Sequence, residues 1–98
     1  MINKEYTKTR RSCRVTFELP AEVHAERATL VGEFNDWDQS SIRMKKCPEG
    51  GFTATISLKP GNEYRFRYLL DGERWENDHA ADRYVSNGHG SDDSVVVV

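Results

Sequence analysis

Three residues in this chain have the type and placement to do recognition chemistry: Trp37, Trp75 and Arg67. An indole offers a large flat apolar face with one N–H donor, and a guanidinium offers a fixed fork of donors. Trp37 closes the stretch Leu30-Val31-Gly32-Glu33-Phe34-Asn35-Asp36-Trp37. The first half of that stretch reads as a strand, with Leu30, Gly32 and Phe34 on one face and Val31 and Glu33 on the other. Asn35 and Asp36 stop it, because their side chains bond back to nearby backbone and favour turns. Trp37 therefore sits just past a strand end, in a polar turn. Its ring is either folded back onto the core or presented as a surface for a flat ligand. The ring alone favours the core, since aromatics bury large area wherever they can.

Arg67 belongs to a second alternating run. Tyr64, Phe66, Tyr68 and Leu70 share one face, and Arg65, Arg67 and Leu69 share the other. Asp71-Gly72 follows as a hairpin signal, and Trp75 lies on the returning strand. A loop with an odd number of residues, Asp71-Gly72-Glu73, puts Trp75 on the Arg67 face. A two-residue loop puts it on the core face. Both loop lengths are common for such turns, so parity alone leaves the two open.

Other chemistries find little support. Carboxylates are many, as expected at a charged fraction of 31%. No Ser/His/Asp spacing stands out, and Gly50-Gly51 lacks the spacing and following helix of a phosphate loop. His24, His79 and His89 are far apart in sequence. The two cysteines, Cys13 and Cys47, form no Cys-x-x-Cys pair, so no metal or other cofactor is expected and two free thiols are the default. Cys13 shares parity with Val15, Phe17 and Leu19 and is expected to pack as a small hydrophobe.

The remaining elements must position these residues. Val15, Phe17 and Leu19 alternate with Arg14, Thr16 and Glu18 in a strand that Pro20 ends. Ile42 and Met44 alternate with Arg43 and Lys45, and Pro48-Glu49-Gly50-Gly51 is a turn. Phe52, Ala54, Ile56 and Leu58 alternate with Thr53, Thr55 and Ser57. Residues 77–92 read as irregular, and Ser94 to Val98 as a final strand that must be paired in a sheet. No segment carries a helical stripe. About seven short strands with turns between them imply an antiparallel β-sandwich. Its expected core is Phe17, Leu30, Phe34, Phe52, Ile56, Phe66 and Tyr68.

Ninety-eight residues make one domain with a modest core. No apolar run approaches the ~20 residues that a bilayer needs, and residues 1–8 lack the apolar stretch of a secretory signal. These features point to a cytoplasmic protein without a membrane partner. Residues 1–14 carry Lys4, Lys8, Arg10, Arg11 and Arg14 against Glu5, whereas residues 71–98 carry seven acids against Arg74 and Arg83. A basic head can touch nucleic acid, but no basic-aromatic motif accompanies it, so nucleic acid is not the expected partner. Residues 1–12 have no period and read as a loose arm; the domain boundaries are drawn at 1–13 for a basic arm and 14–98 for the sandwich.

One ordered set of residues carries a family likeness. It runs Val31-Gly32-Glu33-Phe34-Asn35-Asp36-Trp37, Gly51-Phe52, Leu58-Lys59-Pro60-Gly61, Tyr64-Arg65-Phe66-Arg67-Tyr68, Asp71-Gly72, Trp75, and Gly90 with Asp93-Ser94-Val95. In that order and spacing the chain resembles the isoamylase-type early-set domain over residues 14–98. That family is also called carbohydrate-binding module family 48, and it includes the glycogen-binding domain of the AMP-activated kinase beta subunit. The resemblance implies an immunoglobulin-like sandwich that binds α-1,4-glucans such as glycogen or starch. It further implies that Trp37 and Trp75 stack on sugar rings and that Arg67 bonds sugar hydroxyls. His89, Ser91 and Asp93 match late-loop positions that supply an apolar contact, a hydroxyl and an amide. Four features depart from the family pattern. His89 loses an aliphatic contact but can still stack. Arg67 stands for the usual lysine, Asp93 replaces a carboxamide with an acceptor-only carboxylate, and the hairpin has one extra residue before Trp75.

The expected function is a stand-alone, non-catalytic carbohydrate-binding module, because a catalytic barrel needs ~250 residues. The rival is a protein-interaction module that docks on a glycogen-metabolising enzyme or a regulatory partner and keeps a relict sugar site.

Overall fold

The computed structural model describes residues 1–88 and 90–98. Among the described residues nine strands form two antiparallel sheets. The first has the order β1-β2-β5-β4, from β1 (Ile2–Tyr6), β2 (Cys13–Leu19), β4 (Lys45–Lys46) and β5 (Phe52–Leu58). The second has the order β3-β6-β9-β8, from β3 (Ala28–Gly32), β6 (Glu63–Leu70), β8 (Arg83–Ser86) and β9 (Asp92–Val97), with β7 (Arg74–Glu76) also paired to β6. The chain is an all-β sandwich, as the alternating pattern required.

The core lies between the sheets and follows the period of two. Cys13, Val15, Phe17 and Leu19 of β2 face Phe66, Tyr68 and Leu70 of β6, all buried. Phe17 meets Phe66 edge-on at 5.0 Å between ring centroids, and Phe66 meets Tyr68 at 5.6 Å. These are the tilted contacts that ring quadrupoles favour. Of the expected core, Phe17, Leu30, Phe52, Phe66 and Tyr68 are buried, while Phe34 and Ile56 are half-buried and packed against it. Val96 is a core residue, and β9 is paired on both sides, to β6 and β8. Cys13 and Cys47 are free thiols.

The sandwich has nine strands where about seven were expected; the two additions are β1 and β8. The loose arm expected over residues 1–12 holds β1, paired to β2 from Ile2↔Phe17 to Tyr6↔Cys13. The irregular stretch expected over 77–92 holds β8. Both are edge strands, so most of their side chains face solvent and carry little periodic signal. β1 is tied across the sandwich by Lys4, whose ammonium lies 2.6 Å from the Asp82 carboxylate. That carboxylate also accepts the Val97 N–H.

Two further details differ from the sequence reading. β3 ends at Gly32, and Glu33–Asn35 forms a single 3-10 turn, although Phe34 still packs on Phe17 and Phe66. Ile42 to Met44 does not form its own strand. The Leu30 N–H donates to Ile42 O, the Met44 N–H donates to Ala28 O, and the chain then crosses to the other sheet as β4. Such a switch makes the corner of a sandwich.

One buried polar cluster fastens residues 77–84. The Tyr68 hydroxyl donates to Asp78 Oδ2 at 2.6 Å, and both groups are buried. Burial first, and the Asp78 bond second, push the phenol pKa up, so the hydroxyl remains a donor. Asp78 also accepts from the Met1 ammonium and the Ala80 N–H, while its own N–H donates to Ser94 Oγ. Among the described residues no helix is long and apolar enough to cross a membrane, and no group of three or more His, Cys, Asp or Glu could hold a metal ion.

Tyr68→Phe removes one donor from a buried carboxylate and leaves the ring in place. We expect a loss of about 1–3 kcal/mol of stability in urea unfolding, the cost of an unsatisfied buried polar group. A change of only a few tenths would mean that Met1 and Ala80 already satisfy Asp78.

Candidate functional site

The outer face of the second sheet is built by the register of β6. Val31 lies opposite Arg67, Leu69 opposite Trp75, and Val95 opposite Arg65. Val31, Leu69 and Val95 point away from the inter-sheet core, since each alternates with its residues, yet all three are buried. They form an apolar floor beneath the larger side chains of that face.

Trp37 reaches this face through an abrupt strand ending. Gly32 leaves no room for a side chain: a Cβ there would stand 2.6 Å from Arg65 O, 2.8 Å from Phe66 Cβ and 2.9 Å from the Phe34 ring. Directly after it the chain makes its 3-10 turn. Asp36 (φ 55°) and Trp37 (φ 58°) are both left-handed, and the Trp37 N–H donates back to Gly32 O at 2.8 Å. The Glu33 carboxylate accepts the Arg65 N–H at 2.6 Å and so closes the end of the β3–β6 ladder.

Trp75 is placed by the hairpin. The loop has three residues, with Leu70 paired to Arg74 and Leu69 to Trp75. Asp71 and Gly72 are both left-handed, as tight hairpin turns require, and the Glu73 N–H donates to Leu70 O. Glu73 is thus the third residue of the loop, and Trp75 falls on the Arg67 face. The loop is tied down by Asp71, whose carboxylate accepts the N–H groups of Arg27 and Glu26 at 3.1 and 2.9 Å. Those bonds, the Arg27 one first, hold its carboxyl below the usual aspartate range.

These elements converge on an open groove of about 400 Å³ lined by Glu33, Trp37, Arg65, Arg67, Trp75, Asn87 and Asp93. Trp37 is 38% exposed and Trp75 37%, so neither ring is a core residue. The Arg67 guanidinium carbon lies 5.6 Å from the Trp75 ring centroid, within cation–π range. Its Nε is buried without a hydrogen-bond partner among the described residues. Asp93 is only 6% exposed, and Asn87 Nδ2 approaches its Oδ1 at 3.4 Å.

Of the residues singled out in the sequence, Trp37, Arg67, Trp75 and Asp93 line the groove together. Ser91 is not part of its lining but is joined to it through Asn87, whose Nδ2 donates to Ser91 Oγ at 2.8 Å. His89 lies outside the described residues. Sequence reasoning missed Glu33, Arg65 and Asn87 as lining residues. The first two were visible as the parity mates of Val31 and Arg67, whereas Asn87 read only as a turn residue before Gly88. Two flat rings, two guanidiniums, two carboxylates and an amide can hold a ligand with flat apolar patches and a rim of hydroxyls.

Comparison with known proteins supplies a family. A family model described as the glycogen recognition site of AMP-activated protein kinase matches residues 11–98. The 1,4-alpha-glucan-branching enzyme of Saccharomyces cerevisiae (strain ATCC 204508 / S288c) is 45% identical over 42 residues, which cover 42% of this chain and 6% of that enzyme. The chain therefore corresponds to a small part of the length of that relative.

Two expectations concern the hairpin. Deleting Glu73 leaves Asp71-Gly72 as a two-residue loop, and Leu69 still falls opposite Trp75. The Trp75 indole should remain exposed, as read by acrylamide quenching in a Trp37→Phe background; a protected ring would mean that the register had slipped. The second expectation concerns acid. The native Asp71 carboxyl titrates below its unfolded value of about 3.9, so its contribution is complete above roughly pH 4 and fades as pH falls through the native value. The Glu26 and Arg27 amide resonances should therefore shift together with a midpoint below 3.9. A midpoint at or above that value would show that the tether does not rest on the carboxylate.

Proposed function

The chain belongs to the family of the AMP-activated protein kinase glycogen recognition site, and we propose that it holds α-1,4-glucan by tryptophan stacking without transforming it. As a member of that family it is a carbohydrate-binding domain; the proposal adds the residues and the mode. The supporting observation is that two half-exposed indoles and Arg67 share one outer face over a buried apolar floor. A pyranose has C–H patches that lie flat on an indole and hydroxyls around its rim. In this reading Trp37 and Trp75 take successive sugar faces, Arg67 donates to hydroxyls, and Asp93 accepts from them. Ser91, joined to the groove through Asn87, completes the rim. Sugars keep much of their hydration, so the expected dissociation constant is around 10⁻³ to 10⁻⁵ M.

We propose further that the domain does this on its own. The support is that the described lining of the groove sits on one sandwich whose two sheets close its core. No catalytic role is assigned to the carboxylates: Glu33 is engaged with the Arg65 N–H and Asp93 with Asn87. The free thiols are consistent with a cytoplasmic setting. The likeness to part of a branching enzyme suggests a glycogen-metabolising enzyme as the kind of protein partner, and this frames the second reading. One observation favours that rival: Asp93 lacks the donor of the carboxamide it replaces and is already largely buried. A docking module with a relict sugar site would then remain.

Titration with maltoheptaose separates the two. The glucan reading expects both indole N–H resonances to shift. Trp37→Ala and Trp75→Ala should each weaken binding by about 1–3 kcal/mol, by analogy with base-on-aromatic stacking, while the fold survives. Asp93→Asn should tighten binding by restoring the donor, and no reducing ends should be released from glycogen. Absence of any response at millimolar sugar, with a protein partner retained by both tryptophan variants, would replace this reading with the docking module.

A further inference from the structure

Two consecutive residues other than glycine, Asp36 and Trp37, hold left-handed backbone. L-residues visit that conformation at a cost and ordinarily one at a time. Strain of this kind persists only where the surroundings enforce it. The Trp37 N–H bond to Gly32 O is one constraint, but the Asp36 N–H bond to Glu33 O is long, at 3.4 Å. The other constraint is the side chain of Asn35. Its Oδ1 accepts the Gly32 N–H at 3.0 Å, on the strand side of the turn. Its Nδ2 faces Ser41 Oγ at 3.0 Å and Asp38 O at 3.2 Å, both beyond Trp37, with Leu30 O more distant at 3.4 Å. One half-buried amide thus grips the chain before and after the ring. The far side it grips is itself closed, because Asp38 Oδ1 accepts both the N–H and the hydroxyl of Ser40.

We propose that Asn35 is the positioning residue of the groove, a clamp that fixes Trp37 in its left-handed, outward conformation before any ligand arrives. The consequence for sugar affinity rests on reading Trp37 as a stacking ring; the clamp itself does not. The chemistry demands an amide. An aspartate at this position would keep the acceptor for the Gly32 N–H but lose both donors, and would turn a carboxylate oxygen toward Ser41 and Asp38 O. A serine would be too short to span the turn.

The test compares Asn35→Asp with the parent chain, both 15N-labelled. Without sugar, the indole heteronuclear NOE of Trp37 should fall toward mobile values while that of Trp75 is unchanged. With maltoheptaose, binding should weaken by about tenfold or more, within what one stacking ring is worth. An ordered Trp37 indole together with the parent's affinity in a folded Asn35→Asp chain overturns the proposal, since a merely structural residue would lower stability and leave both readings alone. If the parent itself ignores maltoheptaose, the glucan reading fails, and the indole order alone decides the clamp: lost order upholds it and retained order overturns it. Should Asn35→Asp not fold, Ser41→Ala removes one acceptor of the clamp from an exposed position. It should loosen the Trp37 indole measurably, and an indole as ordered as the parent's would count against the proposal.

Discussion

Alternation along β6 is the constraint on which the rest depends. Successive side chains of a strand point to opposite faces, so one strand can serve two layers at once. Phe66, Tyr68 and Leu70 face inward into the aromatic and aliphatic core, while Arg65, Arg67 and Leu69 face outward and make the bed of the groove. A slip of one residue would bury two guanidiniums and expose two aromatic rings. The register is held from several sides. Pairing with β3, β7 and β9 fixes the backbone, and the Tyr68–Asp78 bond fixes one inward side chain. The groove therefore inherits its geometry from the same interactions that stabilise the fold.

Its two rings come from the places where β6's neighbours stop. Trp37 follows the end of β3 and Trp75 lies on β7 just past the hairpin, and each turn contains paired left-handed residues. At the hairpin, Asp71-Gly72 adopts that backbone in the way such dipeptides favour, and the Asp71 carboxylate secures it to Glu26 and Arg27. At Trp37 no glycine is present, and backbone and side-chain hydrogen bonds must do the holding. Rings held in this way lose little further freedom when a ligand arrives, which matters most where the gross interaction with a hydrated ligand is small.

Much of this was legible in the sequence. The inner faces of β2, β5 and β6 alternate plainly, and Asn35-Asp36 marked the stop before Trp37. Edge strands were harder, because β1 and β8 turn most of their side chains to solvent. The face of Trp75 was undecidable from parity, since Asp71-Gly72 serves loops of two or three residues; the three-residue loop settles it. The floor of the groove was visible in principle. Val31 and Leu69 are apolar residues on faces otherwise read as polar, a mismatch with simple alternation that marks a second buried layer. Arg65, like Glu33, was visible as a parity mate of a groove residue, whereas Asn87 read only as a turn residue before Gly88 and no local pattern places it at the groove.

The balance of charge in the groove bears on what it suits. Arg65 and Arg67 stand against Glu33 and Asp93, two formal charges of each sign, and none of these four joins an ion pair with another among the described residues. An anionic ligand would meet carboxylates and a cationic one guanidiniums, so neither gains a field that favours it throughout. A neutral polyol meets no such conflict. Each hydroxyl can donate to a carboxylate or accept from a guanidinium, according to how it is turned. Strong donors and acceptors set around two apolar rings thus fit a ligand that is uncharged, flat on its faces and hydroxylated at its edges. The apolar floor and the rings then provide the shape, and the rim groups provide the orientation.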